Sequence, residues 1–243
     1  MQIHSTKGIV LRSVKYGETS VIATIYTELF GTQTYLVKGV YTASKKGTAK
    51  SAFFQPAALL DLQVYHNELK QLQFVKDFQW VYLYKQVYYQ VVHNTIALYI
   101  VEVLLQALKQ PEPNAPLFGF AINYLQQLDA LPQNAIANVP LQFTLQLGEF
   151  LGIGLQGMYT TETPILDLQE GMFVAFAPNN HRNYLDGELA AITSRLLEQN
   201  QANLLLNRST RNHLIVSFLD YLGCHIPDFG KLKSYPILQE VLG

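Results

Sequence analysis

Cysteine is almost missing from this chain. Its 243 residues include one, Cys224, so no disulfide can close within the chain and no cysteine-built zinc site can form. Such usage fits a reducing cytoplasm, although small secreted bacterial proteins also commonly have no disulfide. Charge is scarce as well: Asp, Glu, Lys and Arg make up 14%, against roughly a quarter in ordinary soluble domains. A net charge of −1 excludes a uniformly basic nucleic-acid binder. No apolar run is long enough for a bilayer. The most apolar one, TIALYIVEVLLQAL at residues 95–108, contains Glu102 and reads as a buried core helix. The opening MQIHSTKG has no apolar signal-peptide core. These features point to a cytoplasmic protein without a membrane role.

Catalytic signatures are missing too. Gly152-Ile153-Gly154 lacks the phosphate-loop pattern and its lysine, and no Gly-x-Ser-x-Gly elbow occurs. Glu149, Asp167 and Glu170 have no evident acid–base partner and read as solvated surface. Six dispersed histidines include no pair at the i, i+4 spacing of a helical metal site. The expectation is a non-enzyme with no cofactor and no metal.

What is present begins with strands. Residues 7–16 (KGIVLRSVKY), 20–27, 32–40, 59–65 and 72–78 are rich in β-branched and aromatic residues and are separated by turn-like breaks. One break is long, residues 41–55 (YTASKKGTAKSAFFQ), between the third and fourth strands. Five strands with that insert suit an oligonucleotide-binding (OB) barrel; SH3-like barrels and half-sandwiches also string five short strands together. Charge is segregated along the chain. Residues 1–85 carry ten Lys and Arg against five Asp and Glu, and the remainder carries seven against thirteen. A polyanion footprint is therefore expected on the first module alone.

After the strands the period becomes helical. The spacing of Val87, Val91, Thr95, Leu98, Val101, Leu105 and Leu108 predicts a helix over residues 82–109, stopped by Pro111 and Pro113. Further helices are expected at 117–128, from Pro140 to a Gly152 C-cap, at 186–198 behind an Asp186 N-cap, at 209–222, and in the tail at 231–242. Residues 155–186 read as irregular, with one or two short strands near EGMFVAFAP. Trp80, Tyr82, Tyr84, Tyr88 and Tyr89 cluster where strand gives way to helix. Packing is the better reading of them, and base stacking the sharper one.

Two basic constellations stand out. Arg12, Lys15 and Lys38, with Lys45, Lys46 and Lys50 on a small-residue loop, lie near Tyr35 and Tyr41. Ammonium groups meeting phosphates while rings stack on bases would suit single-stranded DNA; a merely solvated loop remains the alternative. Arg195, Arg208, Arg211, Lys231 and Lys233 form the second set, for which scattered surface charge is the plainer reading. Arg208 and Arg211 are three apart, so they share one helix face if the helix starts that early.

Several segments together resemble the bacterial RecO recombination-mediator family. They are KGIVLRSVKYGET at 7–19, LFGTQTYLVKGV at 29–40, YIVEVLLQALKQPEPNAPLFGFAINYLQQLD at 99–129, FTLQLGEFLGIG at 143–154 and FLDYLGCHIPDFGKLKS at 218–234. The resemblance implies an α+β, multi-domain chain. An OB barrel over 1–80 precedes a helical domain over 81–154 and 187–243, interrupted by an insert at 155–186. It implies binding of single- and double-stranded DNA, strand annealing, and RecR as a partner. It also implies docking of the acidic C-terminal tail of single-stranded DNA-binding protein on the helical body, where Arg208 and Arg211 at a helix start, followed by Leu214, Ile215 and Phe218, would offer cations beside apolar side chains, with indirect service to RecA, at the nucleoid. Many members carry a four-cysteine zinc site in the insert; this chain has no cysteine there. The insert is expected to hold together through Met172, Phe173, Phe176 and Tyr184. The alternative is a non-catalytic adaptor whose barrel binds protein.

Overall fold

The structure is a computed structural model that describes residues 2–41, 50–198 and 204–242. The chain packs as two compact units, residues 1–133 with 232–238, and residues 134–231 with 239–243.

The first unit is built on a closed barrel of β1 (Ile3–Tyr16), β2 (Ser20–Thr27), β3 (Gly31–Val37), β4 (Leu59–Tyr65) and β5 (Leu72–Tyr82), in the order β1-β2-β3-β5-β4. All pairings are antiparallel except β3 with β5. That order is the OB topology the strand pattern suggested. β1 pairs with β4 through Ile9 and with β2 from Gly8 onward, and a bulge between Val10 and Arg12 lets it turn the corner. One inward row per strand fills the barrel, among them Val10, Val21, Ala23, Ile25, Tyr35 and Leu60. Phe54, from the 3-10 turn Lys50–Phe54 in the long break, closes one end against Phe78.

Beyond the barrel, α1 (Val91–Ala107) and α2 (Ala115–Ala130) follow. The expected helix start at residue 82 is corrected by nine residues. β5 continues to Tyr82, and residues 83–90 form a connecting loop held by one carboxylate. Asp129, near the end of α2, is 2% exposed. It accepts the backbone N–H groups of Lys85, Gln86 and Val87, at 2.7–3.0 Å, and the Tyr82 hydroxyl. With the Gln86 and Val87 amides committed to a side chain, a helix cannot run back to residue 82, because it would need those amides for the carbonyls of residues 82 and 83. Four of the five junction aromatics pack: Tyr84 donates to the Ala57 carbonyl, Tyr82, Tyr84 and Tyr88 meet edge to face, and Trp80 stacks on Phe53, whereas Tyr89 is 76% exposed. Glu102, the single charge in the apolar run, accepts the Lys233 and Ser234 amides at the start of α6 (Ser234–Val241).

The second unit holds α3 (Val139–Phe150), α4 (Gly187–Leu197) and α5 (Arg208–His225). α3 ends where Gly152 was expected to cap it, with the Gly152 amide on Glu149 and the Ile153 amide on Gly148. Asp186 stands at the N-cap of α4, but its side chain accepts no capping bond. α5 does not stop at Gly223 and runs on to His225. The insert is more ordered than expected. β6 (Ile165–Asp167) lies between β7 (Met172–Val174) and β8 (Tyr184–Leu185).

Burial alone would raise the Asp129 pKa, but the three amide bonds and the Tyr82 hydroxyl outweigh it and hold the carboxyl below its ordinary value of 3.8. A lowered folded pKa stabilises the fold above the unfolded pKa, and that contribution disappears as pH falls through the folded value. Asp129→Ala is expected to cost about 3–5 kcal/mol at neutral pH, because it leaves several buried donors unpaired. Urea unfolding of both proteins should show that difference shrinking in acid below about pH 4.

Candidate nucleic-acid interface

Cross-strand neighbours share a face of a sheet, so the barrel register sorts the expected site residues. Arg12, Thr24 and Thr34 form one outward row, and Val14, Ile22, Leu36 and Phe74 form the next. The second row is apolar yet only partly covered, and Val14 is 50% exposed. Arg12 is exposed beside it, and the Lys38 ammonium lies 5.7 Å from the centre of the Phe74 ring. The outer face of β1–β2–β3–β5 is thus an apolar strip with a cation at each side.

Lys15 and Tyr41 sit elsewhere, on the rim. Lys15 pairs with Val21, in phase with the interior, but it lies beyond the barrel core and turns its ammonium over the Tyr41 ring at 5.3 Å. Tyr16 and Tyr41 are 56% and 43% exposed, and the Tyr41 amide bonds to Thr19 in the β1–β2 turn. A cation and two accessible rings therefore gather at this hairpin tip.

Tyr35 is corrected. It is 0% exposed, inside the barrel core, where burial raises the pKa of its hydroxyl. It pairs with Ala23 on the inward row, so a base cannot stack on it. Lys50 is exposed at the first residue of its 3-10 turn. Lys45 and Lys46 lie outside the described residues. Sequence reasoning missed Val14, Tyr16, Ile22, Leu36 and Phe74. The available signal was that SVIATIYT carries apolar residues on both faces, which one buried face does not require.

The expected peptide site at the start of α5 is corrected as well. Arg208 is exposed and donates to the Gln239 carbonyl. Arg211 is buried and spans the Leu206 and Leu242 carbonyls, and burial, reinforced by Arg208, lowers its pKa. Leu214, Ile215 and Phe218 are at most 1% exposed. α5 packs on α3 through this stripe, so the apolar residues that would receive a peptide are core.

Two profiles described as Recombination protein O N terminal and Recombination protein O C terminal match residues 1–84 and 89–236. The chain belongs to the RecO family. Relatives named DNA repair protein RecO include that of Bacteroides fragilis, 30% identical over 98% of this chain and 99% of its own. That of Christiangramia forsetii is 30% identical over the full length of both. That of Azobacteroides pseudotrichonymphae is 28% identical over 98% of this chain and 99% of its own.

The zinc site that the RecO resemblance implied does not fit this insert. Residues 155–186 contain no cysteine. Among the described residues no three His, Cys, Asp or Glu side chains gather as metal ligands. Leu166, Leu168 and Leu185 join Phe173 in its core, whereas Met172 and Phe176 are exposed. Asp167 is buried and is not solvated surface: its Oδ1 accepts the Gln169 and Glu170 amides, and its Oδ2 lies 3.5 Å from His181 Nε2. At Gly171, with φ +69°, a Cβ would lie 2.6 Å from the Tyr221 hydroxyl, which itself donates to the Ile153 carbonyl. The β6–β7 turn thereby lies directly against α5.

Prolonged chelator treatment is expected to leave the thermal midpoint unchanged, with far less than about one zinc per chain in the purified protein. Gly171→Ala should lower stability by about 1–3 kcal/mol through the forced shift of Tyr221. A chelator-induced drop in the midpoint would overturn the metal-free account of the insert.

Proposed function

We propose that this protein is a DNA repair and recombination mediator whose barrel binds DNA through the outer face of β1–β2–β3–β5. Membership of the RecO family supports the role. The observation that carries the placement is the partly exposed apolar row Val14–Ile22–Leu36–Phe74 between Arg12 and Lys38. Cations meet phosphates, and the apolar strip receives the faces of unpaired bases. The hairpin tip adds Lys15, Tyr16 and Tyr41. Sequence preference is weak in such a surface, because phosphates and base faces carry little sequence information.

In this reading the protein makes and breaks no bonds. It holds single- and double-stranded DNA, anneals complementary strands, and helps place RecA on strands coated by single-stranded DNA-binding protein. RecR and the acidic tail of that coating protein are its partners. The described residues contain no helix long and apolar enough to cross a membrane, and action at the nucleoid in the cytoplasm follows from the role.

Titration of a fluorescent single-stranded oligonucleotide at two salt concentrations tests the proposal. Binding should weaken steeply with salt. Changing Arg12, Lys15 and Lys38 together to Ala should lower the log–log salt slope by about 0.7 for each phosphate that the variant no longer neutralises. Folding stability should stay within about 0.5 kcal/mol, since all three side chains are exposed. If affinity and slope match the unaltered protein, the outer face is not the DNA surface, and the adaptor reading gains.

A further inference from the structure

At the β2–β3 end of the barrel a cleft of about 850 Å³ opens between the β2–β3 turn, the β4–β5 turn and the α1–α2 connection. Its volume is within the ~300–1,000 Å³ range of small-ligand sites. We infer that this cleft seats one unstacked nucleotide of a single strand running off the outer face. The inference rests on the reading of that face as the DNA surface, and it extends the path beyond it.

Continuity is the first argument. Thr34 belongs to the outward row of Arg12 and Thr24, and it also lines the cleft. A strand crossing the face along that row therefore arrives at the cleft mouth without leaving the barrel surface.

Chemistry is the second. The Phe30 and His66 rings stack at 3.9 Å and 14°, forming a flat aromatic element in the wall. Gln33 and Gln71 line the cleft beside them. Gln33 spends one N–H on the Phe30 carbonyl, which leaves its oxygen as an acceptor of the kind base edges pair with. Lys70 and Lys109 supply positive charge for a phosphate, with Glu68 the one opposing carboxylate among the lining side chains.

Shape is the third. The backbone of Glu112 lies directly against Gly31, whose φ is +62°, so there is no room there for a side chain. The proline-bearing connection is thus seated on the β2–β3 turn and walls one side of the cleft. A ring system enters a walled cleft edge-first and meets the amides, whereas an acidic peptide would find only two ammonium groups against a carboxylate.

The test uses the full chain with oligothymidylates of increasing length, and with single strands carrying 2-aminopurine at one position at a time. The double variant Lys70→Ala/Gln71→Ala alters an exposed turn, and its melting curve verifies the fold. Unaltered protein should gain affinity with length until the strand fills both face and cleft. The double variant should bind short strands equally well and lose the last gain, about fivefold or more. One 2-aminopurine position should change fluorescence in the unaltered protein and not in the variant. Equal binding at every length, with no position-specific signal, would overturn the inference while leaving the face intact. So would loss of acidic-peptide binding in the variant with DNA binding untouched. Absence of oligonucleotide binding by the unaltered protein at any length would instead remove the DNA reading on which it rests.

Discussion

The carboxylate of Asp129 is the constraint on which the first unit depends. It sits in α2, yet its partners are the last residue of β5 and the three amides that open the loop toward α1. One buried charge therefore decides where the barrel ends and where helix begins. Without it the three N–H groups would need other acceptors, and the helical period that runs back to Val87 would lose one of the contacts that oppose it. Gln86 reinforces the arrangement by donating to the Asp129 and Leu131 carbonyls. The same loop carries Tyr84 onto the Ala57 carbonyl, which ties this exit to the start of β4.

That clamp also explains what the sequence showed and what it hid. Five strands were legible because alternation and turn residues are local signals: β2 and β4 matched at both ends, and no end of the other three was misplaced by more than four residues. The end of β5 and the start of α1 were not legible. The residue that sets them is some forty positions away, and a lone Asp near a helix end looks like any other. Glu102 is a parallel case. In sequence it only argued against a membrane span, while in the fold it caps α6. Long-range satisfaction of backbone groups has no period to read.

The site residues divide along the same line. Arg12 and Lys38 were legible as exposed charge on a strand surface. Tyr35 was not separable from Tyr41 by type, and only the register decides that one fills the barrel while the other stands on its rim. The α5 residues failed for a related reason. A basic pair followed by an apolar stripe describes a peptide-binding helix and a core helix equally well, and α3 occupies the stripe. In the insert, the absence of cysteine was plain. Which side chains take over the holding was not, because the contact between Gly171 and Tyr221 joins positions fifty residues apart.

The charge distribution acquires a physical meaning once the barrel surface is laid out. The surplus of Lys and Arg in residues 1–85 is modest, and it does not coat the barrel. Instead it flanks an apolar strip with Arg12 on one side and Lys38 on the other, and places Lys15 at the tip. A duplex shows such a surface its phosphates and hides its base faces in the stack. On the proposed reading an unpaired strand offers both, so the apolar row would add affinity for single strands that it cannot add for duplex. On the proposed reading, contact with duplex relies on the few cations alone and is correspondingly sensitive to salt. A surface of that kind favours unpaired strands while still tolerating the paired product, and this is the balance a protein needs if it is to bring complementary strands together and then let the duplex go.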